Sequence, residues 1–475
     1  MLFNSLPFVF FAAVFFGIWP LANRRDLTRW GFLSMMSLVF YGWWDWRFIF
    51  VLVASGLIDF FCAGAMQTAP TRERKRLLLL LSLAGNVGSL GFFKYGQFVA
   101  AILDSGLSKL GAPAYFAEAL PDFTLILPVG ISFYTFQSMS YSIDVYRGRL
   151  QPTKNFLHFF AYLSMFPQLV AGPIVRARDM LGQLATRRVP SDARVWHGIK
   201  LFGFGLFRKA VIGDHIGGMV NAAFDGATRS DDAVLWWMVT LGFGLQIYAD
   251  FSGYSLMARG LAKGMGLRIH ANFRNPYLSL SLREFWQRWH ISLSTWFRDY
   301  VYIPLGGSRK GVLRGVLYMS ITMIVSGLWH GAAITFVVWG AIHALFLGLE
   351  RTTGYNTRLQ SLGLGGKAVA YLLTMLQVGL AWLFFRADTI EQANQILVKM
   401  FTHDFSTSVF QEFPAAVLCI VLAVAIEFGP LLKQRVRALR SVLHNPWVDA
   451  VTVGAAYLSA IFLRGPEAAF IYFQF

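Results

Sequence analysis

The sequence predicts an all-α polytopic membrane protein, and three observations carry that expectation. Apolar runs of about 20 residues recur from end to end, the length a helix needs to cross hydrocarbon. Of the 475 residues, 56% are hydrophobic and 14% charged, where a soluble domain carries about a quarter charged. Basic clusters also fall between alternate apolar runs, as the positive-inside rule requires. The mean hydropathy is +0.51.

The first expected span is 6–22, followed by Arg24, Arg25 and Arg29. The opening Met1-Leu2-Phe3-Asn4-Ser5 has no basic leader and no small-residue cleavage site, so this run reads as a retained span, not a signal peptide. Spans at 30–44 and 48–65 are joined by Asp45-Trp46-Arg47 and precede Arg72-Glu73-Arg74-Lys75-Arg76. A span at 77–101 leads to an acidic-leaning loop, and one at 123–144 leads to Arg147, Arg149 and Lys154. The run 156–173 has basic flanks on both sides and contains Phe166-Pro167 and Ala171-Gly172-Pro173, which suits a re-entrant segment. Further runs lie near 200–222, 233–256, 312–330, 333–349, 367–385, 413–430 and 447–463, with Lys433, Arg435, Arg437 and Arg440 before the last.

Placing the basic clusters in the cytoplasm gives about twelve spans and puts both termini outside. The whole chain, 1–475, then reads as one integral membrane domain with an outer tail at 464–475. Segment 258–311 holds nine Lys/Arg against two acids, Glu284 and Asp299, and reads as a cytoplasmic interfacial stretch. Within it, 282–305 fits one amphipathic helix. Trp286, His290, Leu293, Phe297 and Tyr300 share a stripe, with Arg283, Gln287, Ser294 and Arg298 on another. No internal repeat of the kind found in common transporters is visible.

Composition excludes several functions. The net charge of +17 belongs to the topology pattern, and no basic soluble domain exists to present a nucleic-acid surface. Cys62 and Cys419 both sit in apolar runs, leaving neither a disulfide framework nor a CxxC metal spacing. No HExxH, P-loop or GxSxG pattern appears. Two histidines without a carboxylate or thiol cluster make a poor metal site, and no bound cofactor is expected.

Two histidines carry the chemistry. His330 lies in Ser326-Gly327-Leu328-Trp329-His330-Gly331, within an apolar stretch. An ionisable ring in hydrocarbon is costly and marks a functional-site candidate. It reads either as a helix-end histidine satisfied by a carbonyl or as a catalytic base. Gly327 and Gly331 would then leave room for a substrate. His290, in Phe285-Trp286-Gln287-Arg288-Trp289-His290-Ile291, reads either as an interfacial anchor or as a second catalytic group. His343 has apolar neighbours and reads as structural. Asp59, Asp144 and Asp250, near or within spans, read as partners of bases or caps of a channel.

Phe285 to Tyr302, Leu328-Trp329-His330-Gly331, Phe166-Pro167-Gln168-Leu169-Val170-Ala171-Gly172-Pro173-Ile174 and Leu127-Pro128-Val129-Gly130-Ile131-Ser132-Phe133-Tyr134-Thr135-Phe136 resemble the membrane-bound O-acyltransferase family. They are similar in particular to its bacterial branch that acetylates alginate and other envelope polysaccharides. The resemblance implies a ring of helices around a tunnel, a cytosolic funnel for acetyl-CoA, and a periplasmic hydrolase-like partner that completes transfer to the polysaccharide. It maps the family's near-invariant histidine to His330 and its second motif position to His290. It also implies the bacterial inner membrane as location.

The chain ends Phe470-Ile471-Tyr472-Phe473-Gln474-Phe475, a hexapeptide similar to one in small membrane peptides that work with the D-alanyl-transferring relatives. The tail reads either as an aromatic anchor or as an acyl carrier, in which the Tyr472 phenol accepts acetyl and passes it outward. A carrier-fed D-alanyl transferase and a polysaccharide export protein remain as alternatives.

Overall fold

The computed structural model describes residues 1–475 except 112, 114, 117, 119, 121–126, 227–231, 403–404, 436–444, 468–469 and 472–475, and except the side chains of 432–435. Tyr472, Arg437 and Arg440 thus lie outside the described residues. The described chain is helical nearly throughout and forms two compact units: Met1–Ile199 with Ala258–His270, and Lys200–Met257 with Ala271–Phe475.

Seven helices are long and apolar enough to cross a membrane: Trp46–Thr68, Arg72–Lys109, Ala233–Gly264, Val312–His330, Ile334–Thr353, Gly363–Arg386 and Pro414–Leu431. Two shorter apolar helices, Leu6–Ala22 and Pro446–Phe462, match the first and last expected spans. The protein is a multi-pass membrane protein, but length and composition among the described residues do not reach twelve spans. The reason lies in the remaining apolar runs. The run expected at 30–44 is the helix Asp26–Gly42, which starts earlier and buries Arg29. Arg29 Nε donates to Leu184 O at 2.9 Å. The run expected at 200–222 is interrupted by a π-turn at Arg208–Gly213.

In the first unit, the re-entrant expectation for 156–173 is supported. Phe156–Leu163 and Phe166–Leu169 are too short to span, and 159–176 is buried without a break. The Phe166 ring sits among Phe15 at 4.9 Å, Phe11 at 5.1 Å and Phe40 at 5.6 Å. Gly130, at φ 76°, passes so close to Leu169 that a Cβ would lie 2.4 Å from its carbonyl oxygen. The two sequence motifs containing Gly130 and Phe166 therefore pack backbone to backbone.

Asp59 ties three helices of this unit together. Fully buried in Ile49–Thr68, it accepts from Asn86 Nδ2 at 2.8 Å and Ser142 Oγ at 3.1 Å, and from the hydroxyls of Ser82 and Ser138. Ser55 Oγ completes the cluster by donating to Asn86 Oδ1 at 2.9 Å. Its donors come from Arg72–Leu90 and Ile131–Tyr146.

Removing this acceptor strands several buried donors, each costing about 1–3 kcal/mol. Asp59→Ala is expected to lower the apparent Tm in detergent by several degrees and reduce folded yield, while Asp59→Asn, which retains one acceptor, falls between. Thermal unfolding followed by tryptophan fluorescence checks this, and a wild-type transition in Asp59→Ala refutes it.

Candidate active site

All site residues below belong to the second unit. The segment 282–305 is not the single amphipathic helix that its periodicity suggests. It forms Leu282–Arg288, a break at Trp289-His290, Ile291–Phe297, a π-turn at Arg298–Tyr302 and the short turn Ile303–Leu305. Ser281 caps the first helix by accepting from Glu284 N at 3.1 Å. The break comes from His290, which takes a left-handed backbone (φ 39°). Such a conformation costs a non-glycine residue about 1 kcal/mol and persists only where surroundings enforce it.

Asn272 supplies that enforcement. Its carbonyl accepts from Ile291 N at 2.8 Å, and its side-chain Oδ1 accepts from Ser292 N at 3.1 Å and Ser292 Oγ at 2.9 Å. Arg274 N donates to Arg288 O at 3.0 Å on the other side of the break. Trp289 packs its indole against Phe273 at 5.0 Å, Trp382 at 5.1 Å and Phe285 at 5.5 Å. The loop leading in is fixed from below by Glu427, buried in Pro414–Arg435. Its carboxylate accepts from Tyr277 N at 3.0 Å, Tyr248 OH at 3.0 Å and Asn275 Nδ2 at 3.1 Å.

The break turns His290 inward; it is 1% exposed. Its Nδ1 lies 3.3 Å from Asn272 Oδ1, and that oxygen is identified by the Ser292 main-chain N–H it accepts. Nδ1 must therefore be the donor, which leaves the lone pair on Nε2. Burial lowers the imidazole pKa from 6.5 to about 3, so the ring is neutral at physiological pH. A buried, neutral imidazole of fixed tautomer has the form of a general base.

His330 ends the helix Val312–His330 and is 7% exposed. Its ring stands edge-on to Trp329 at 4.8 Å, Trp339 at 5.1 Å and Phe385 at 5.1 Å. Trp329 also meets His290 at 6.4 Å, so the two histidines flank one indole. His343 joins the same aromatic cluster through Trp339 at 4.8 Å and Trp286 at 5.0 Å. The glycines beside His330 do not open space for a substrate as the sequence suggests. A Cβ on Gly327 would lie 2.2 Å from Phe336 O, and one on Gly331 would lie 1.9 Å from the Phe336 ring. Their missing side chains are occupied by Phe336, letting Ile334–Thr353 pack directly on the His330 helix.

A cavity of about 1030 Å³ opens beside this cluster. Arg283, Arg298 and Arg351 line it with several hydroxyls, and its wall includes Trp286 and Ser326, the latter one turn before His330. Glu350 lies on the same wall, so three guanidinium groups stand against one carboxylate, a lining that suits an anionic ligand. Among the described residues, no three His, Cys, Asp or Glu side chains gather as a metal site.

The C-terminal segment reaches the same neighbourhood. Phe470 is buried against Tyr254 at 5.2 Å and Phe251 at 6.4 Å, and Phe251 stands 4.6 Å from His290. Ile471 N donates to Asp250 Oδ2 at 2.8 Å. Asp250 pairs with Lys209, as its position in a span suggests. Sequence reasoning missed Asn272, Lys209 and Glu427. Lys209 and Glu427, charged residues inside apolar runs, left a signal; Asn272 left none.

The sequence profile of the membrane-bound O-acyltransferase family matches residues 149–376. A probable alginate O-acetylase of Pseudomonas aeruginosa is 36% identical over 475 aligned positions, covering 99% of this chain and 87% of that protein. A peptidoglycan O-acetyltransferase of Helicobacter pylori is 33% identical, covering 84% of this chain and 80% of that protein. A teichoic acid D-alanyltransferase of Bacillus subtilis is 28% identical over 54% of this chain and 67% of that protein.

The His290 pKa has a thermodynamic consequence. Between about pH 3 and 6.5 the unfolded histidine binds a proton that the folded one refuses. Its stabilising contribution is complete above pH 6.5 and is lost progressively as pH falls toward 3. From pH 7.5 to 5 the wild type is expected to lose about 2 kcal/mol more stability than His290→Gln, whose side chain does not titrate. Unfolding midpoints of both proteins across that range check this, and parallel curves refute it.

Proposed function

Because this chain belongs to the membrane-bound O-acyltransferase family and is an acyltransferase, we propose that it moves acetyl from cytosolic acetyl-CoA across the bacterial inner membrane for O-acetylation of an exopolysaccharide or cell-wall polymer, alginate first. What carries this reading is the meeting of His290, His330 and the C-terminal segment within one aromatic cluster beside an arginine-lined cavity. The near full-length similarity to a probable alginate O-acetylase supports acetyl as the group and alginate as the polymer.

The donor's phosphates would meet Arg283, Arg298 and Arg351. Its thioester would extend along the wall containing Ser326 toward His330. The attacking group is the Tyr472 phenol, whose oxygen adds to the thioester carbonyl carbon as its proton passes to the His330 imidazole. Collapse breaks the C–S bond, and the leaving thiolate recovers that proton. The products are a tyrosyl acetate and free coenzyme A. An aryl ester keeps transfer potential comparable to a thioester because phenoxide leaves far more readily than an alkoxide. A hydroxyl of a periplasmic hydrolase-like partner then attacks the ester, releasing the phenol and carrying acetyl to the polymer. His290, neutral and held by Asn272, also meets the Trp329 ring and is the second catalytic group. Both termini would be periplasmic, with 258–311 at the cytoplasmic interface.

His330→Ala is expected to leave protein abundance near normal and to cut polymer acetyl ester by about 10²–10⁴-fold, the usual worth of a general base. Ester assays on isolated polymer check this, and retained ester removes His330 from the base role. Tyr472→Phe is expected to abolish transfer, and intact-protein mass spectrometry after exposure to acetyl-CoA is expected to find acetyl on Tyr472 in the parent alone. Full activity in Tyr472→Phe reduces the tail to a docking element. Absence of any transfer from labelled acetyl-CoA instead favours a carrier-fed donor.

A further inference from the structure

We propose that Asp250, held by Lys209, latches the C-terminal segment at the residue before Tyr472 and is thereby a positioning residue for acyl capture. The proposal rests on the reading of Tyr472 as acyl carrier.

The latch begins with a π-turn. Arg208–Gly213 interrupts what would otherwise be a continuous helix, and such turns recur where a side chain must be re-aimed. Lys209 in this turn places its Nζ 2.7 Å from Asp214 Oδ1 and 2.8 Å from Asp250 Oδ1. All three side chains are buried. One ammonium thus serves two carboxylates, and the second oxygen of Asp250 turns to the tail, accepting from Ile471 N at 2.8 Å.

The tail is tied to the same turn at its other end. Gly465 N donates to Ala210 O at 2.8 Å, and a Cβ there would lie 2.5 Å from His215 N, so only glycine passes. Between the two ties the segment buries Phe470 against Tyr254 and Phe251, and Phe251 touches His290.

Stability alone accounts poorly for this arrangement. A buried ion cluster costs desolvation, and apolar replacements of similar volume are often no less stable. A carboxylate aimed at a main-chain N–H near the chain end does what an apolar group cannot: it fixes position. Consecutive Cα atoms are about 3.8 Å apart. Holding the Ile471 amide therefore fixes the chain one residue short of Tyr472 in sequence.

The test uses the full-length protein in nanodiscs, with hydrogen–deuterium exchange of the C-terminal peptide and steady-state kinetics with acetyl-CoA. Asp250→Ala leaves Lys209 a one-to-one pair with Asp214. It is expected to speed Ile471 amide exchange by about tenfold or more and lower kcat by about 10–100-fold, with KM for acetyl-CoA unchanged. Asp250→Asn, which can still accept from Ile471, is expected to restore protection and most of kcat. Unaltered exchange in Asp250→Ala overturns the latch. Faster exchange with normal kcat overturns the positioning role. Should Asp250→Ala not fold, Ile471→Pro decides, since it removes the amide hydrogen and leaves the ion cluster intact; normal kcat there overturns the proposal. A protected Ile471 amide in a parent protein that never gains acetyl on Tyr472 sinks the carrier reading and leaves the latch standing.

Discussion

Hydrocarbon offers no hydrogen bonds, so each polar group carried into a membrane protein must find its partners inside the chain. That requirement organises both units. Asp59 gathers donors from two neighbouring helices. Glu427 gathers a main-chain amide, a phenol and a carboxamide, and so sets the loop that leads to the site. Asn272 satisfies the main chain on one side of a broken helix and holds an imidazole at the same time. In each case one polar side chain does work that several apolar contacts do elsewhere: it fixes direction as well as proximity.

The site inherits its properties from this economy. His290 could not face inward on a regular helix that keeps Arg283, Gln287 and Arg298 exposed and also seats Trp289. The left-handed residue resolves the conflict by letting consecutive side chains enter the core together. Once inside, the imidazole loses its charge through burial and its tautomeric freedom through Asn272. Proton affinity and orientation thus follow from one backbone kink.

What was legible in the sequence follows from the same physics. Long apolar runs such as Ile49–Thr68 and Val312–His330 announce themselves, since about 20 residues with one charged side chain each suit a membrane span. The re-entrant segment was readable because proline and glycine interrupt it. His290 and His330 stood out because an ionisable ring in apolar surroundings is costly. The break at Trp289-His290 was hidden, because the sequence continues a helical stripe across it and the force that breaks it, Asn272, lies 18 positions away. The π-turn at Lys209 was hidden for a similar reason: its partner Asp250 is remote and inside a strongly apolar helix. The role of Gly327 and Gly331 was misread because a missing side chain looks alike whether a substrate or a phenylalanine fills the gap.

The close seating of Ile334–Thr353 on the His330 helix sets a dimension of its own. Gly340 would place a Cβ 2.6 Å from Met323 O, and Gly327 meets Phe336 in the same manner from the other side. The two helices therefore touch main chain to main chain, with no side-chain cushion to absorb sliding or rotation. Trp339 and the imidazole it abuts, 5.1 Å apart, are thus carried on helices whose spacing is set by main-chain contact. A single added methyl at this seam would splay the pair by a distance comparable to the tolerance of a transfer reaction.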